Sequence, residues 1–247
     1  MLTLTEVDKC VLAMLDKIII DPEEYAKLDS SYYYDNHKVP RVTRILTRCV
    51  HEDGLVKWAN FMGFSQVDYD DFMEDAATIG NETHNSIRAL MEHGESQMTK
   101  QESLFAYNSF LTWYHNVSYW NLVQPIMYEQ PIVCKFFGGT LDALYKINNK
   151  LYIVDYKTSN HIVLKYALQI AAYVFILHYI HNIFVDGCVL LQLSKESIGY
   201  NEYALNFSNP VDLNFINQAK SAFLIMVLWY YNLGIIEEDY NNLEWGE

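Results

Sequence analysis

Positive charge is scarce in this chain, and so are glycine, proline and cysteine. Seventeen Lys and Arg stand against 31 Asp and Glu in 247 residues, a formal charge of −14 at pH 7. No broad positive field exists to hold nucleic acid non-specifically, so any such contact must be local. Ten Gly and five Pro exclude collagen-like and low-complexity classes. The four cysteines, Cys10, Cys49, Cys134 and Cys188, form no C-x-x-C pair. That spacing supports neither a zinc site nor a disulfide framework and fits reduced thiols in a cytoplasmic setting. Long apolar runs are also missing: the stretch 222–231 is shorter than the ~20 residues that cross a bilayer. Residues 1–20 scatter Glu6, Asp8, Lys9, Asp16 and Lys17 where a signal peptide needs a charged-then-apolar layout. The expectation is a cytoplasmic protein with no membrane partner.

What remains is 51% hydrophobic and 19% charged, the composition of a folded chain with a sizeable core. Residues 5–19 carry a helical stripe of Val7, Val11, Leu12, Leu15 and Ile18, stopped at Asp21-Pro22. A tyrosine-rich stretch, Tyr32-Tyr33-Tyr34, ends at Pro40. Residues 43–50 and 55–62 read as two short helices broken around Asp53-Gly54 and Gly63, and an acidic run over 68–74 opens a helix reaching Gly94. A helix over 103–120 places Leu104, Tyr107, Phe110, Leu111 and Tyr114 on one side. The period then changes to that of strands over 123–133, 136–147 and 151–157, followed by an apolar helix over 163–180, a strand over 184–193 and a closing helix over 210–233. The pattern predicts an α/β fold, a mixed central sheet flanked by helices with a helical N-terminal elaboration. Residues 1–120 would form the helical part, one wall of a groove, and 121–247 the α/β core, together one compact unit.

One turn organises the chemistry. Asn148-Asn149 tolerates positive φ and makes a tight hairpin. With those two residues as the loop, Asp142 falls directly across from Asp155, and Lys157 shares the Asp155 face two residues on. Two carboxylates at that separation repel unless a cation lies between them. Hard oxygen donors with room for water suit Mg²⁺ or Mn²⁺. A neighbouring lysine orients a water, or deprotonates it where its own pKa is lowered. The combination fits metal-assisted phosphodiester hydrolysis. The plain alternative is an exposed hairpin face with solvated charges.

These residues belong to an ordered series: Gly139-Thr140-Leu141-Asp142, then Ile153-Val154-Asp155-Tyr156-Lys157-Thr158-Ser159, then Gln169-Ile170-Ala171-Ala172-Tyr173, preceded by Gly80-Asn81-Glu82-Thr83-His84. Upstream stand Val42-Thr43-Arg44-Ile45-Leu46 and Leu55-Val56-Lys57-Trp58-Ala59. The series, over about 40–195, resembles the PD-(D/E)XK nucleases of the RecB-like exonuclease branch, which includes phage exonucleases and the mitochondrial genome-maintenance exonuclease. The resemblance implies a restriction-endonuclease-like core in which Asp142 and Asp155 ligate metal and Lys157 is the catalytic lysine. It also implies the Tyr156 carbonyl and His84 as further ligands, one or two Mg²⁺ or Mn²⁺ ions, and Glu129, Gln169, Tyr173, Thr158 and Ser159 beside the substrate. Several relatives hold an iron-sulfur cluster with three downstream cysteines. No cysteine follows Cys188, so no iron-sulfur cluster is expected. His178 and His181, at i and i+3 on an apolar helix, read as partly buried rather than as a metal pair.

The chain has four arginines, of which Arg41, Arg44 and Arg48 share one helix face. They form a compact patch able to clamp DNA phosphates, or else a solvated face paired with the acidic run. Trp58, Tyr114, Trp120 and Tyr128 are candidates to stack single-stranded bases. The expected activity is a metal-dependent DNA exonuclease working at ends with single-stranded DNA in its groove. An endonuclease of the same fold, on DNA or RNA, and a non-catalytic nucleic-acid-binding module are the alternatives. A charge of −14 adds the expectation of a helicase or single-strand-binding partner that delivers substrate.

Overall fold

The computed structural model describes residues 3–18, 32–50, 68–120 and 122–242. The expected stop at Asp21-Pro22, the second short helix over 55–62 with its flanking breaks, Trp58 and the Trp120 side chain lie outside the described residues. The described order is α1 (Glu6–Leu15), β1 (Tyr33–Tyr34), β2 (His37–Lys38), α2 (Val42–Cys49), α3 (Tyr69–Met91), α4 (Gln101–Trp120), β3 (Val123–Val133), β4 (Gly138–Ile147), β5 (Lys150–Lys157), α5 (Leu164–Phe175), β6 (Gly187–Leu193), β7 (Tyr200–Asn206) and α6 (Pro210–Asn242).

The sheet follows from short connections. Asn148 and Asn149 have φ of 49° and 66°, the left-handed pair that a two-residue hairpin turn needs. Ile147 therefore pairs with Lys150 and the antiparallel ladder runs to Ala143 with Val154. α5 carries the chain from β5 to a parallel β6, the right-handed crossover logic of α/β proteins. A hairpin then adds β7, giving the order β3-β4-β5-β6-β7, mixed in direction. The expectation had no strand over 200–206. Its face alternates weakly because an edge strand covered on one side leaves most positions exposed. The β1-β2 ribbon was also unexpected. Asp35 and Asn36 turn it at φ of 46° and 65°, the same turn chemistry inside a segment too short for a periodic signal.

Helices cover both faces. α1, α2, α5 and α6 enclose a core around Val42, Ile45, Phe137, Leu144, Ile153, Ala171 and Phe223. α3 and α4 enclose a second core around Phe110, Trp113, Tyr145, Tyr156 and Leu191. The N-terminal helices thus do not form one wall: they divide between the two faces, because neither sheet face can stay uncovered. The buried side of α4 is also shifted from the expected stripe, with Ser103, Ala106, Ser109, Phe110 and Trp113 inward and Leu104 46% exposed. On α1, Val7 is half exposed while Asp8 is buried.

Asp8 closes the capping box of α1 with Thr5 and meets Lys220 of α6 at 3.1 Å. Lys220 Nζ also donates to the Thr3 carbonyl at 2.7 Å. A buried pair held by further hydrogen bonds ties the chain's N-terminal helix to its last one. Breaking one side leaves the other charge uncompensated. Lys220→Met should lose about 3–5 kcal/mol of unfolding free energy by urea titration, and Asp8→Leu combined with Lys220→Met should recover most of it. A single variant as stable as the parent would show that the pair contributes nothing.

Candidate metal centre

The site forms where the hairpin ladder stops. Ala143–Val154 is the last laddered pair of β4 and β5. One residue further, Asp142 turns its carboxylate into the gap, and Oδ2 accepts the Tyr156 backbone N–H at 2.8 Å. A side chain has replaced the next ladder partner. Asp142 and Asp155 therefore do not face each other as a regular pair, as the turn count alone implied, although both reach the same gap. The N–H and C=O of one strand residue leave the same edge, so the Tyr156 carbonyl also faces this gap. Its side chain leaves on the other face, where its hydroxyl bonds Tyr145 at 2.8 Å.

Neither carboxylate is a solvated surface group. Asp142 is 7% exposed and Asp155 1%, which removes the plain reading of an exposed hairpin. From β3, Tyr128 pairs with Ala143 and Gln130 with Leu141, so Glu129 stands across from Asp142. Glu129 holds φ of 44°, a left-handed conformation in a strand that costs an L-residue of order 1–3 kcal/mol. That strain aims its carboxylate at His84 of α3, whose Nδ1 lies 3.0 Å from Glu129 Oε1 and 3.6 Å from Asp142 Oδ1. The ligand atoms of His84, Glu129 and Asp142 lie within 4.8 Å of one another. Asp155 lies beside this group, near enough to feel the charges of Asp142 and His84: its Oδ2 is 2.6 Å from Lys157 Nζ, while its Oδ1 is buried and has no hydrogen-bond partner.

Lys157 is held as well as paired. Its Nζ donates to Gln169 Oε1 at 3.3 Å, and Gln169 Nε2 donates to the Tyr173 hydroxyl at 2.9 Å. The Tyr166 ring lies 4.8 Å beneath the same ammonium. Tyr173 in turn packs on the backbone of Gly139, where a Cβ would come within 2.6 Å of its ring. The Tyr32 ring does the same at Gly138, and its hydroxyl bonds Thr140 at 2.7 Å. The glycine pair is thus a flat seat for two tyrosines flanking the site.

The expected residues are sorted by this geometry. Asp142, Asp155, Lys157, His84, Glu129, Gln169 and Tyr173 come together. Thr158 is set against Gly80 of α3, and Ser159 is braced by Tyr166 and Gln192, whose Nε2 donates to its carbonyl. Arg44 and Arg48 are not brought to the cluster. α2 begins beside Gly138, where Arg41 bridges, four residues or about 13 Å along β4 from Asp142. Arg48 lies over the Tyr230 ring of α6. The arginines form a remote, exposed patch. His178 is buried against Tyr179 and Phe184. Tyr32 was noted only within the run Tyr32-Tyr33-Tyr34 and not as a site residue, since so short a segment carries no periodic signal.

Electrostatics match a site built for a cation. Burial is the largest influence on Asp155, and with Asp142 nearby it outweighs Lys157 and lifts the carboxyl to about 6. On His84, burial opposes charge, but the charge of Asp142 and the bond and charge of Glu129 prevail and raise it to about 9. Burial likewise opposes charge on Lys157, and Asp155 and Asp142 still hold it above its ordinary value. The lysine is therefore an ammonium in this state. As an ammonium it is a donor and an orienting charge. Three carboxylates and one imidazole fit a divalent cation, with Mn²⁺ favoured over Mg²⁺ by the nitrogen donor.

The signs fix the pH dependence. Protonated His84 stabilises the metal-free fold below 6.5, and that contribution is lost as pH rises through about 9. Protonated Asp155 stabilises it below 3.8, and that contribution is lost as pH rises through about 6. A cation must displace both protons. Mn²⁺ binding at pH 7.5 should release close to one proton, rising toward two near pH 5, measured calorimetrically in buffers of different ionisation enthalpy. His84→Ala should remove the release at pH 7.5. Equal heats in all buffers would refute the assignment. Gly139→Ala should displace Tyr173 at an overpacking cost of about 1–3 kcal/mol and weaken Mn²⁺ binding, read by the same titration. An unchanged isotherm would separate the glycine seat from the site.

No protein-family profile matches the chain, and no curated protein matches it in sequence. Among solved structures, one titled "Crystal structure of SSO0001" aligns over 89% of this chain and 84% of its own at 12% identity, with a TM-score of 0.31, a likeness too slight to carry an argument.

Proposed function

We propose that this chain is a metal-dependent nuclease that hydrolyses DNA phosphodiester bonds from ends, an exonuclease of the PD-(D/E)XK kind that its motifs resemble. The observation that carries this reading is the gathering of His84, Glu129, Asp142 and Asp155 from α3, β3, β4 and β5 around Lys157, with Asp155 Oδ1 buried and unpartnered. A binding-only protein has no reason to hold three carboxylates together at such cost.

His84, Glu129, Asp142, Asp155 and the Tyr156 carbonyl would hold Mn²⁺ or Mg²⁺. When bound, that ion supplies Lewis acidity toward a phosphoryl oxygen and lowers the pKa of a bound water. Lys157, kept charged by Asp155 and steered by Gln169, donates to the attacking water or to the oxygen on which charge develops. Gln169 and Tyr173 limit its motion, so the ammonium is positioned before substrate arrives. Tyr145–Tyr156 and the second core fix the far face of β5, and with it the spacing of Asp155 and Lys157. Substrate approach is opposed by the overall charge, so the exposed Arg41 and Arg44 patch serves as a local landing point. A helicase or single-strand-binding protein fits the same need.

End-labelled single-stranded and double-stranded DNA should be degraded with Mn²⁺ or Mg²⁺ and not with EDTA. Lys157→Ala should slow cleavage about 10²-fold or more. Covalently closed single-stranded circles should survive, and their cleavage would instead mark an endonuclease. Failure to cut DNA of any form with either metal would overturn the proposal.

A further inference from the structure

The sheet register extends the site sideways. Lys157 on β5 pairs with Gln192 on β6, and Gln192 pairs with Asn201 on β7. Directly paired residues share a face and stand about 4.8 Å apart. A polar row therefore runs from Lys157 through Gln192 to Asn201, away from the carboxylates. It is joined by hydrogen bonds: Gln192 Nε2 donates to the Ser159 carbonyl at 2.8 Å, and Gln192 Oε1 accepts from Asn201 Nδ2 at 3.0 Å. Gln192 is 9% exposed, so this is a built arrangement and not a chance surface contact.

At the end of the row lies a cleft of about 470 Å³, lined among others by Ser159, Asn160, Lys195, Tyr200 and Asn201. That volume is in the range of small-ligand sites. The chemistry of the lining is distinctive. The bond to Gln192 uses one of the two Nδ2 hydrogens of Asn201, which keeps a second donor and a carbonyl acceptor on one planar group. Such an edge matches the donor-acceptor edge of a nucleobase. The neighbouring Tyr200 leaves β7 on the opposite face, where it packs on the second core and accepts from Asn116 Nδ2 at 3.1 Å, so it fixes the strand that carries Asn201. Lys195 and Glu196 bring one charge of each sign to the cleft of a chain that carries −14, so Lys195 can meet a single phosphate and no duplex track is present.

We propose that this cleft is a nucleobase subsite, seating the base of a nucleotide next to the cleaved bond, with Asn201 reading its edge and Lys195 meeting its phosphate. The proposal rests on the nuclease reading for its place in a reaction, and it defines the substrate further. A base engaged by its hydrogen-bonding edge cannot be paired, so the strand is single at that nucleotide. The strand then crosses the sheet end from the Glu129 side to the β7 side, with the metal centre between.

Binding of dAMP, dGMP, dCMP and TMP to the full chain, with Ca²⁺ present in place of Mn²⁺, tests the subsite without cleavage. The expected result is a preference among the four of about fivefold or more, the low end of two-point base readout. Asn201→Ala, on an exposed edge strand, should flatten that preference, while Lys195→Ala weakens all four alike. An unchanged Mn²⁺ isotherm in both variants shows that the fold and the metal centre are intact. Binding of no mononucleotide, or the same preference in Asn201→Ala, overturns the subsite even if the protein degrades DNA. An Asn201-dependent preference in a protein that cuts no DNA keeps the subsite and sinks the nuclease reading instead.

Discussion

The structure depends on one local exchange: at Asp142 a carboxylate takes the hydrogen bond that the next backbone rung of β4 and β5 would have made. A ladder continued by one more pair would close the gap and leave no room for ligands between the strands. A ladder ended by a plain loop would leave the Tyr156 N–H buried and unpaired, at a cost of about 1–3 kcal/mol. The side-chain substitution avoids both. It keeps the backbone satisfied while it holds the strands apart, and it fixes Asp142 so that its other oxygen points toward His84.

Everything around the gap follows from holding it open in a low-dielectric setting. Burial lifts the Asp155 carboxyl to about 6, so its ionised form is unfavourable in this setting. His84, drawn upward to about 9, sets a positive charge among the carboxylates. Lys157 does the same for Asp155 at 2.6 Å. The two cationic side chains offset the charge of two buried carboxylates, Asp142 and Asp155, and of the half-buried Glu129. The left-handed Glu129 belongs to the same account, since strain of this kind persists only where surrounding structure over-determines it.

The two helical layers have different tasks. α3 and α4 deliver His84 and support β5 from behind through Phe110, Trp113 and the Tyr145–Tyr156 pair. Glu82, two residues before His84, anchors that layer by accepting from the amides of Thr99 and Lys100 at the start of α4. Burial works against the ionised Glu82, yet the nearby Ser103 hydroxyl and the hydrogen bonds from Thr99 and Lys100 take it down to about 2. α5 delivers Gln169 and Tyr173 from the other layer. The site is thus a product of the sandwich as a whole, and the long buried tie between Asp8 and Lys220 closes the layer that holds α5.

Much of this was legible in the sequence, for physical reasons that operate over short distances. Positive φ at Asn148-Asn149 and the two-residue period set the hairpin, and the i, i+2 relation placed Asp155 beside Lys157. The i, i+4 relation placed Gln169 beside Tyr173, and an ordered series of motifs pointed to His84, whereas Glu129 was expected beside the substrate and falls in the cluster with His84 and Asp142. Other features depend on long-range packing and left no local mark. No spacing rule shows that the β4–β5 ladder ends at Ala143, because that choice is made by a side chain competing with a backbone partner. Nor does any rule show that Lys157 stays charged, since two neighbours from two strands, Asp155 and Asp142, outweigh its burial. The split of the N-terminal helices over two sheet faces, the edge strand β7 and the remoteness of Arg44 and Arg48 from the cluster are of the same kind. Sequence alone determined which residues could act together within an element or across one tight turn. Tertiary structure decided which of them share a gap, because burial and distance between elements far apart in the chain exist only once the layers have closed.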